Sequence, residues 1–265
     1  MDLQHDEIIY AVYLAFSNTK YGRQLSGKLR YEQYNFGHLG SSEWVRLLGV
    51  DVNNLAHMLI TYSLAKSFTE QTLLLKPSSL SESEQELLLI AAIIHDQAEA
   101  IVGDITFGRK GKSDEAAEQK AFAEHLQAFT PGLSDEVRQL VQRAKDEVLF
   151  TTDSKLGEMF NIIERVGYLR TALRAAEIIR EKKAFRSVAQ GLQWLITDVL
   201  TNQTETLLKF ATTYGALQQY LSDEAANISY AFSLNSDEVF DNYGNDKEAK
   251  QQQFRSALEA WKAFS

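Results

Sequence analysis

Apolar residues recur along this chain at spacings of three and four, and no stretch alternates apolar and polar as a half-buried strand does. Asp6 to Phe16 places Ile8, Ile9, Val12, Tyr13 and Phe16 on one helical face. A stretch rich in glycine and tyrosine, Tyr21 to Gly40, reads as loop or short helix. Asn53 or Asn54 can cap a helix through Leu55, Met58, Leu59, Tyr62 and Leu64. Pro77-Ser78-Ser79 breaks the pattern. Ser83-Glu84-Gln85-Glu86 then has the form of a capping box, opening a helix through Leu87 to about Val102 that Gly103 ends. Thr106 to Lys112 is a glycine-containing loop. Ser113-Asp114-Glu115 caps a helix to about Phe129, which Thr130-Pro131-Gly132 interrupts. Leu133 to Phe150 and Ser154 to about Lys183 are further helices. Two more follow, with the stripe Leu192, Leu195, Ile196 and Val199. A last amphipathic helix carries Phe254, Leu258, Trp261 and Phe264. The predicted fold class is all-α.

Composition narrows the functions open to such a chain. Its 265 residues include no cysteine and two prolines, Pro77 and Pro131. That excludes a disulfide scaffold, a cysteine-based zinc or iron–sulfur site and a cysteine nucleophile. A net charge of −9 argues against a nucleic-acid scaffold, because neutralising phosphates along a polymer needs clustered Lys and Arg. The opening residues Met1 to Glu7 lack the basic and apolar regions of a signal peptide. The longest apolar run, Leu87 to Ile94, is too short to span a membrane. The expectation is a cytoplasmic protein with no membrane and no nucleic-acid partner.

Candidate chemistry concentrates after that apolar run. A helix that is apolar on every side must be buried, and this one delivers His95, Asp96 and Glu99 in close succession. At about 100° per residue the three fall within one arc of about 100°. Burying an imidazole and two carboxylates without partners costs several kcal/mol. A metal ion is the simplest compensation: it pairs with the carboxylate, takes neutral imidazole as ligand and leaves a nearby Glu for proton transfer. A His-Asp pair near a helix end is also an ordinary cap or surface feature. What favours a ligand role is the apolar run before it and a second histidine, His57, set among Leu55, Met58, Leu59 and Ile60.

With those residues in view, the chain resembles the HD-domain metal-dependent phosphohydrolases. Their pattern is a histidine on one helix, a His-Asp pair about two helices later and an aspartate on a further helix. The string His95, Asp96, Glu99, Gly103, Asp104, Ile105 is similar to the 5′-deoxynucleotidase and HD-domain-containing protein 2 branch. Upstream, Ser42 to Val50 with Trp44 resembles that branch's Gly-Trp-Val-x-x-Gly-Val segment. Downstream, Lys112, Glu115 and Glu118 resemble its charged helix. The likeness covers roughly Ser41 to Arg174. It departs at Ala56, where the branch has an acidic residue, at Ser41, where it has an Arg, and at Glu164, where it has an Asp.

The resemblance implies an HD helical bundle over 41–183. An N-terminal helix and loop (1–40) and a C-terminal helical extension (184–265) would pack on that core as one globular unit. His57, His95, Asp96 and Glu164 would hold one divalent metal ion, with Asn161 and Asp153 as outside candidates near Glu164. The N/O donor set suits Mn, Fe, Co, Ni or Zn. Glu99 would assist proton transfer to the leaving oxygen, and Asp104 or Asp96 would orient the attacking water. Trp44 would stack on the base or sugar and Arg46 would meet the phosphate, although a core tryptophan and a surface cation are their ordinary fates. The implied substrate is a small nucleotide, foremost a (deoxy)nucleoside 5′-monophosphate releasing phosphate. Other HD chemistries (nucleoside triphosphate, alarmone or cyclic dinucleotide hydrolysis) and a non-catalytic binding module are the alternatives. The stripe Phe254, Leu258, Trp261, Phe264 is either a homodimer surface or core packing.

Overall fold

A computed structural model describes residues 3–102 and 112–265. The elements are α1 (Leu3–Ser17), α2 (Lys20–Ser26), α3 (Ser41–Leu48), α4 (Asn54–Leu75), α5 (Glu82–Ile94), α6 (Glu99–Val102) and α7 (Lys112–Phe129). They continue with α8 (Asp135–Ala144), α9 (Lys155–Arg180), α10 (Arg186–Ala211), α11 (Gly215–Asp223), α12 (Ala225–Ser233) and α13 (Lys247–Phe264). Among the described residues the β structure is an isolated bridge between Leu29 and Asn53. The fold is all-α, as the periodicity predicts. Among the described residues no helix is long and apolar enough to cross a membrane.

The chain divides into two compact units, Met1–Arg30 with Asp51–Ile163, and Tyr31–Val50 with Glu164–Ser265. These borders differ from the sequence expectation of 1–40, 41–183 and 184–265. Each unit is built from two separate stretches, a grouping set by contacts distant in sequence rather than by any break in composition. Pro77 and Pro131 both lie inside the first unit.

In the first unit α5 is the central helix. Leu87 to Ile94 are all buried to 1% exposure or less, which explains a run with no polar face. Helices α1, α4 and α8 pack around it. Ser81 and Glu84 form its capping box, Ser81 Oγ accepting from the Glu84 N–H and Glu84 returning to the Ser81 N–H. The box sits two residues earlier than Ser83–Glu86, because Leu80 is already buried and Ser81 is the first residue past it. Asn53 caps α4, accepting from the Ala56 N–H.

In the second unit α10 is the axis, with α11, α12, α13 and the turn at Glu32–Tyr34 packed against it. Gly191 lets that turn approach: a Cβ there would lie 1.9 Å from the Tyr34 carbonyl oxygen. Asp198 accepts from the hydroxyls of Tyr34 (2.5 Å) and Tyr243 (3.1 Å). Phe254 and Trp261 are buried within this unit, and α13 rests on α10. Leu258 and Phe264, on the same stripe, are half-buried.

Candidate metal centre

The site is assembled in the first unit by a short extended segment and two helix ends. Lys28-Leu29-Arg30 runs beside Val52-Asn53-Asn54, tied by Arg30 N–H to the Val52 carbonyl (2.7 Å) and Asn54 N–H to the Lys28 carbonyl (3.3 Å). This brings two cations next to the start of α4, whose first turns carry Asn54 and His57. Across from them α5 ends at Ile94. The chain does not continue as one α-helix to Val102, as the sequence suggests. His95–Ala98 tightens into a 3₁₀ turn before α6 begins at Glu99. Residues three apart eclipse in such a turn, so Asp96 and Glu99 stack on one side. Lys28 Nζ donates to the carbonyls of Glu99 (2.7 Å) and Ala100 (3.2 Å), tying the first turn of α6 to the extended segment.

His57, His95 and Asp96 each offer a ligand atom, and these atoms all lie within 4.8 Å of one another. Their side chains are 5%, 4% and 12% exposed. Both imidazoles are anchored at Nδ1. That of His57 donates to Asp51 Oδ1 at 2.6 Å, and that of His95 donates to the Ala92 carbonyl at 3.0 Å. Anchoring one nitrogen to an acceptor puts the proton there and leaves the other as a lone pair. The two Nε2 atoms then face the Asp96 carboxylate, His95 at 3.0 Å from Oδ1 and His57 at 3.6 Å from Oδ2. Thr61 Oγ1, at 3.2 Å, competes for the His57 lone pair.

Two lone pairs aimed at a carboxylate repel unless a positive charge sits among them. Burial lowers the His57 pKa, and Arg30 lowers it further against the pull of Asp51 and Asp96, so that ring stays neutral. Burial pushes Asp96 up, but a proton held between His95 and the carboxylate, with lesser help from His57 and Arg30, outweighs it and keeps the carboxyl well below its ordinary range; that proton is the positive charge a metal ion would replace. The carboxylate is ionised, and its buried Oδ2 accepts no hydrogen bond among the described residues. An N,N,O donor set with an orphaned anionic oxygen fits a divalent cation of the borderline class. The residues present fit the ion that the sequence motif implies.

Around this group lie the remaining participants. Glu99 is gripped by Asn54, whose Nδ2 donates to Oε2 at 2.6 Å. Asn54 and His57 lie three apart on α4, which sets Glu99 on the His57 side. Arg30, only 4% exposed, is close enough to act on both His57 and Asp96. Arg30, Lys28, Asn54 and Asp51 carry no functional signal in the sequence. Arg30 and Lys28 sit in a stretch without periodicity, and Asp51 lies on a short 3₁₀ turn (Val50–Val52) before the helix.

Trp44 and Arg46 stand on α3 in the second unit. Trp44 has no exposed surface, the condition of a core tryptophan. Arg46 is exposed and lines a surface hollow with Glu43, Lys183 and Phe185. Glu164 is the first residue of the second unit on α9. One turn before it, Phe160 sets its ring edge-on to His95, centroids 5.6 Å apart. Asn161 is partly buried beside it and Asp153 is exposed. Asp104 lies outside the described residues, as do the cations Arg109 and Lys110.

No family model matches this chain, and no curated protein or solved structure matches it.

Proposed function

We propose that the first unit is a metal-dependent phosphohydrolase acting on small nucleotides, in the manner of the HD-type enzymes whose motif its sequence resembles. The observation that carries this reading is the pair of Nδ1-anchored imidazoles turned on one buried, ionised carboxylate. His57 and His95 would hold a divalent ion through Nε2 and Asp96 through its carboxylate. Such an ion supplies Lewis acidity toward a phosphoryl oxygen and makes water nucleophilic near neutral pH. Asp51 and the Ala92 carbonyl fix the ring orientations, so the donors need no rearrangement. Glu99, steadied by Asn54, would pass a proton to the leaving oxygen. Arg30 contributes a fixed positive charge beside the site, the sign needed where a phosphoryl group gathers negative charge.

The foremost substrate is a (deoxy)nucleoside 5′-monophosphate, as the His-Asp-x-x-Glu-x-x-x-Gly-Asp string suggests. Phosphate release from mono-, di- and triphosphates, with and without chelator, tests this. Release from monophosphates that a chelator stops and added metal restores is the expected result. Turnover confined to longer phosphate chains replaces the substrate assignment. Metal binding with no turnover of any member makes the unit a binding module instead.

A further inference from the structure

The second unit carries a concentration of positive charge that the proposed chemistry does not use. Residues 165–186 hold seven of the chain's 27 Lys and Arg against two carboxylates, in a protein of net charge −9. Three of these cations, Arg170, Arg174 and Arg180, line one wall of a cleft of about 250 Å³ formed by α9, α11 and α12. They share a face of α9, where residues four apart rise about 6 Å and residues ten apart about 15 Å. The opposite wall presents Tyr220, Glu224 and Asn227.

The arginines are arranged rather than merely numerous. Arg180 lies over the Tyr230 ring, 5.4 Å from its centroid, which orients the guanidinium plane and leaves its edge for donation. Arg174 pairs with Glu177 at 2.5 Å, a half-exposed contact that a stronger anion can displace. Arg170 carries no such carboxylate partner among the described residues, and its charge acts on the Tyr220 hydroxyl. Glu224 is occupied in part by Asn227, whose amide donates to it at 2.8 Å. Burial, reinforced by Glu224, raises the Tyr220 pKa, so its hydroxyl keeps the proton it can donate.

We propose that this cleft binds an oligophosphate chain, with Arg170 and Arg174 forking onto adjacent phosphates and Arg180 reaching the far end. Guanidinium groups spaced one turn apart match a ligand with several anionic groups in a row better than a single small anion. The chain comes either as inorganic oligophosphate or as the phosphate tail of a nucleotide. The site does not depend on the metal centre of the first unit, and its test excludes that centre.

The test is calorimetric titration of the full-length protein in EDTA with inorganic tripolyphosphate, and in parallel with a non-hydrolysable nucleoside triphosphate. The expected result is saturable binding that weakens about tenfold or more in R170Q/R174Q and is unchanged in R186Q, an exposed cation outside the cleft. Equal affinity for both ligands assigns recognition to the phosphates alone, and tighter nucleotide binding adds a contact to the base; either supports the site. No saturable binding by the parent, binding retained in R170Q/R174Q, or equal loss in R186Q overturns it.

Discussion

At the scale of single residues, the decisive feature is where protons sit. Asp51 holds a proton on His57 Nδ1 and so turns Nε2 inward. Replacing it by Asn weakens that anchor and lets the ring adopt the other tautomer. D51N should therefore lower divalent-metal affinity by about 10–100-fold with the fold intact, measured by competition against a chelating dye; an unchanged affinity would remove Asp51 from the site. A second histidine makes a different prediction. His125 is 1% exposed, stacked between Tyr21 and Phe16, and neither ring nitrogen has a hydrogen-bond partner among the described residues. Burial, with a lesser push from Lys20 and against Glu124, lowers its pKa to about 4. The unfolded chain takes up that proton as pH falls through 6.5, whereas the folded chain resists it until about 4. Stability should thus fall across this window by about 3 kcal/mol and be flat in this contribution above 6.5. H125F, which keeps an aromatic ring in the stack, should flatten that acid limb in urea denaturation at pH 7 and 4.5. An identical pH dependence in the two proteins would place the titrating group elsewhere.

At the scale of elements, helices and their caps carry the fold, and a few close approaches set their packing. Gly191 on α10 is one: its missing Cβ makes room for the Tyr34 carbonyl. G191A should cost roughly 1–3 kcal/mol through overpacking, read as a drop in urea midpoint, and a neutral substitution would mean that the turn at Tyr34 yields freely. Periodicity made α4, α5, α10 and α13 legible, because each shows its buried face in sequence. The register of the α5 cap was less so, since Ser81-x-x-Glu84 and Ser83-x-x-Glu86 satisfy the same rule and only the burial of Leu80 separates them. The 3₁₀ turn at His95–Ala98 was not legible at all. It follows from local hydrogen bonding, with His95 drawn back onto the Ala92 carbonyl and Lys28 closing the carbonyls of α6. The π-helical turn Lys145–Leu149, which ends α8 short of the expected Phe150, is of the same kind.

At the scale of the whole molecule, the buried His-Asp cluster lies in one unit and the arginine-lined cleft in the other. The cluster His57, His95 and Asp96 was readable because a wholly apolar run delivers the His-Asp pair from the core, and a second histidine on an apolar helix stands with it. The residues around the cluster were hidden by distance along the chain: Arg30 is 66 positions from Asp96 and reaches it through a two-residue bridge, Leu29 to Asn53. The division into units was hidden for the same reason, since 31–50 joins 164–265 without any signal at either border. A bound ion that prefers the folded chain raises its stability by mass action, so a divalent metal should raise the melting temperature of the parent and leave that of D96A unmoved. The most direct test of the metal centre is the metal content of the full-length protein, loaded with Mn²⁺, Co²⁺, Ni²⁺ or Zn²⁺, desalted and measured by plasma mass spectrometry. The account predicts about one ion per chain in the parent and none in a folded D96A variant. A folded parent that retains no divalent ion, or a D96A variant that retains the parent's complement, would contradict it.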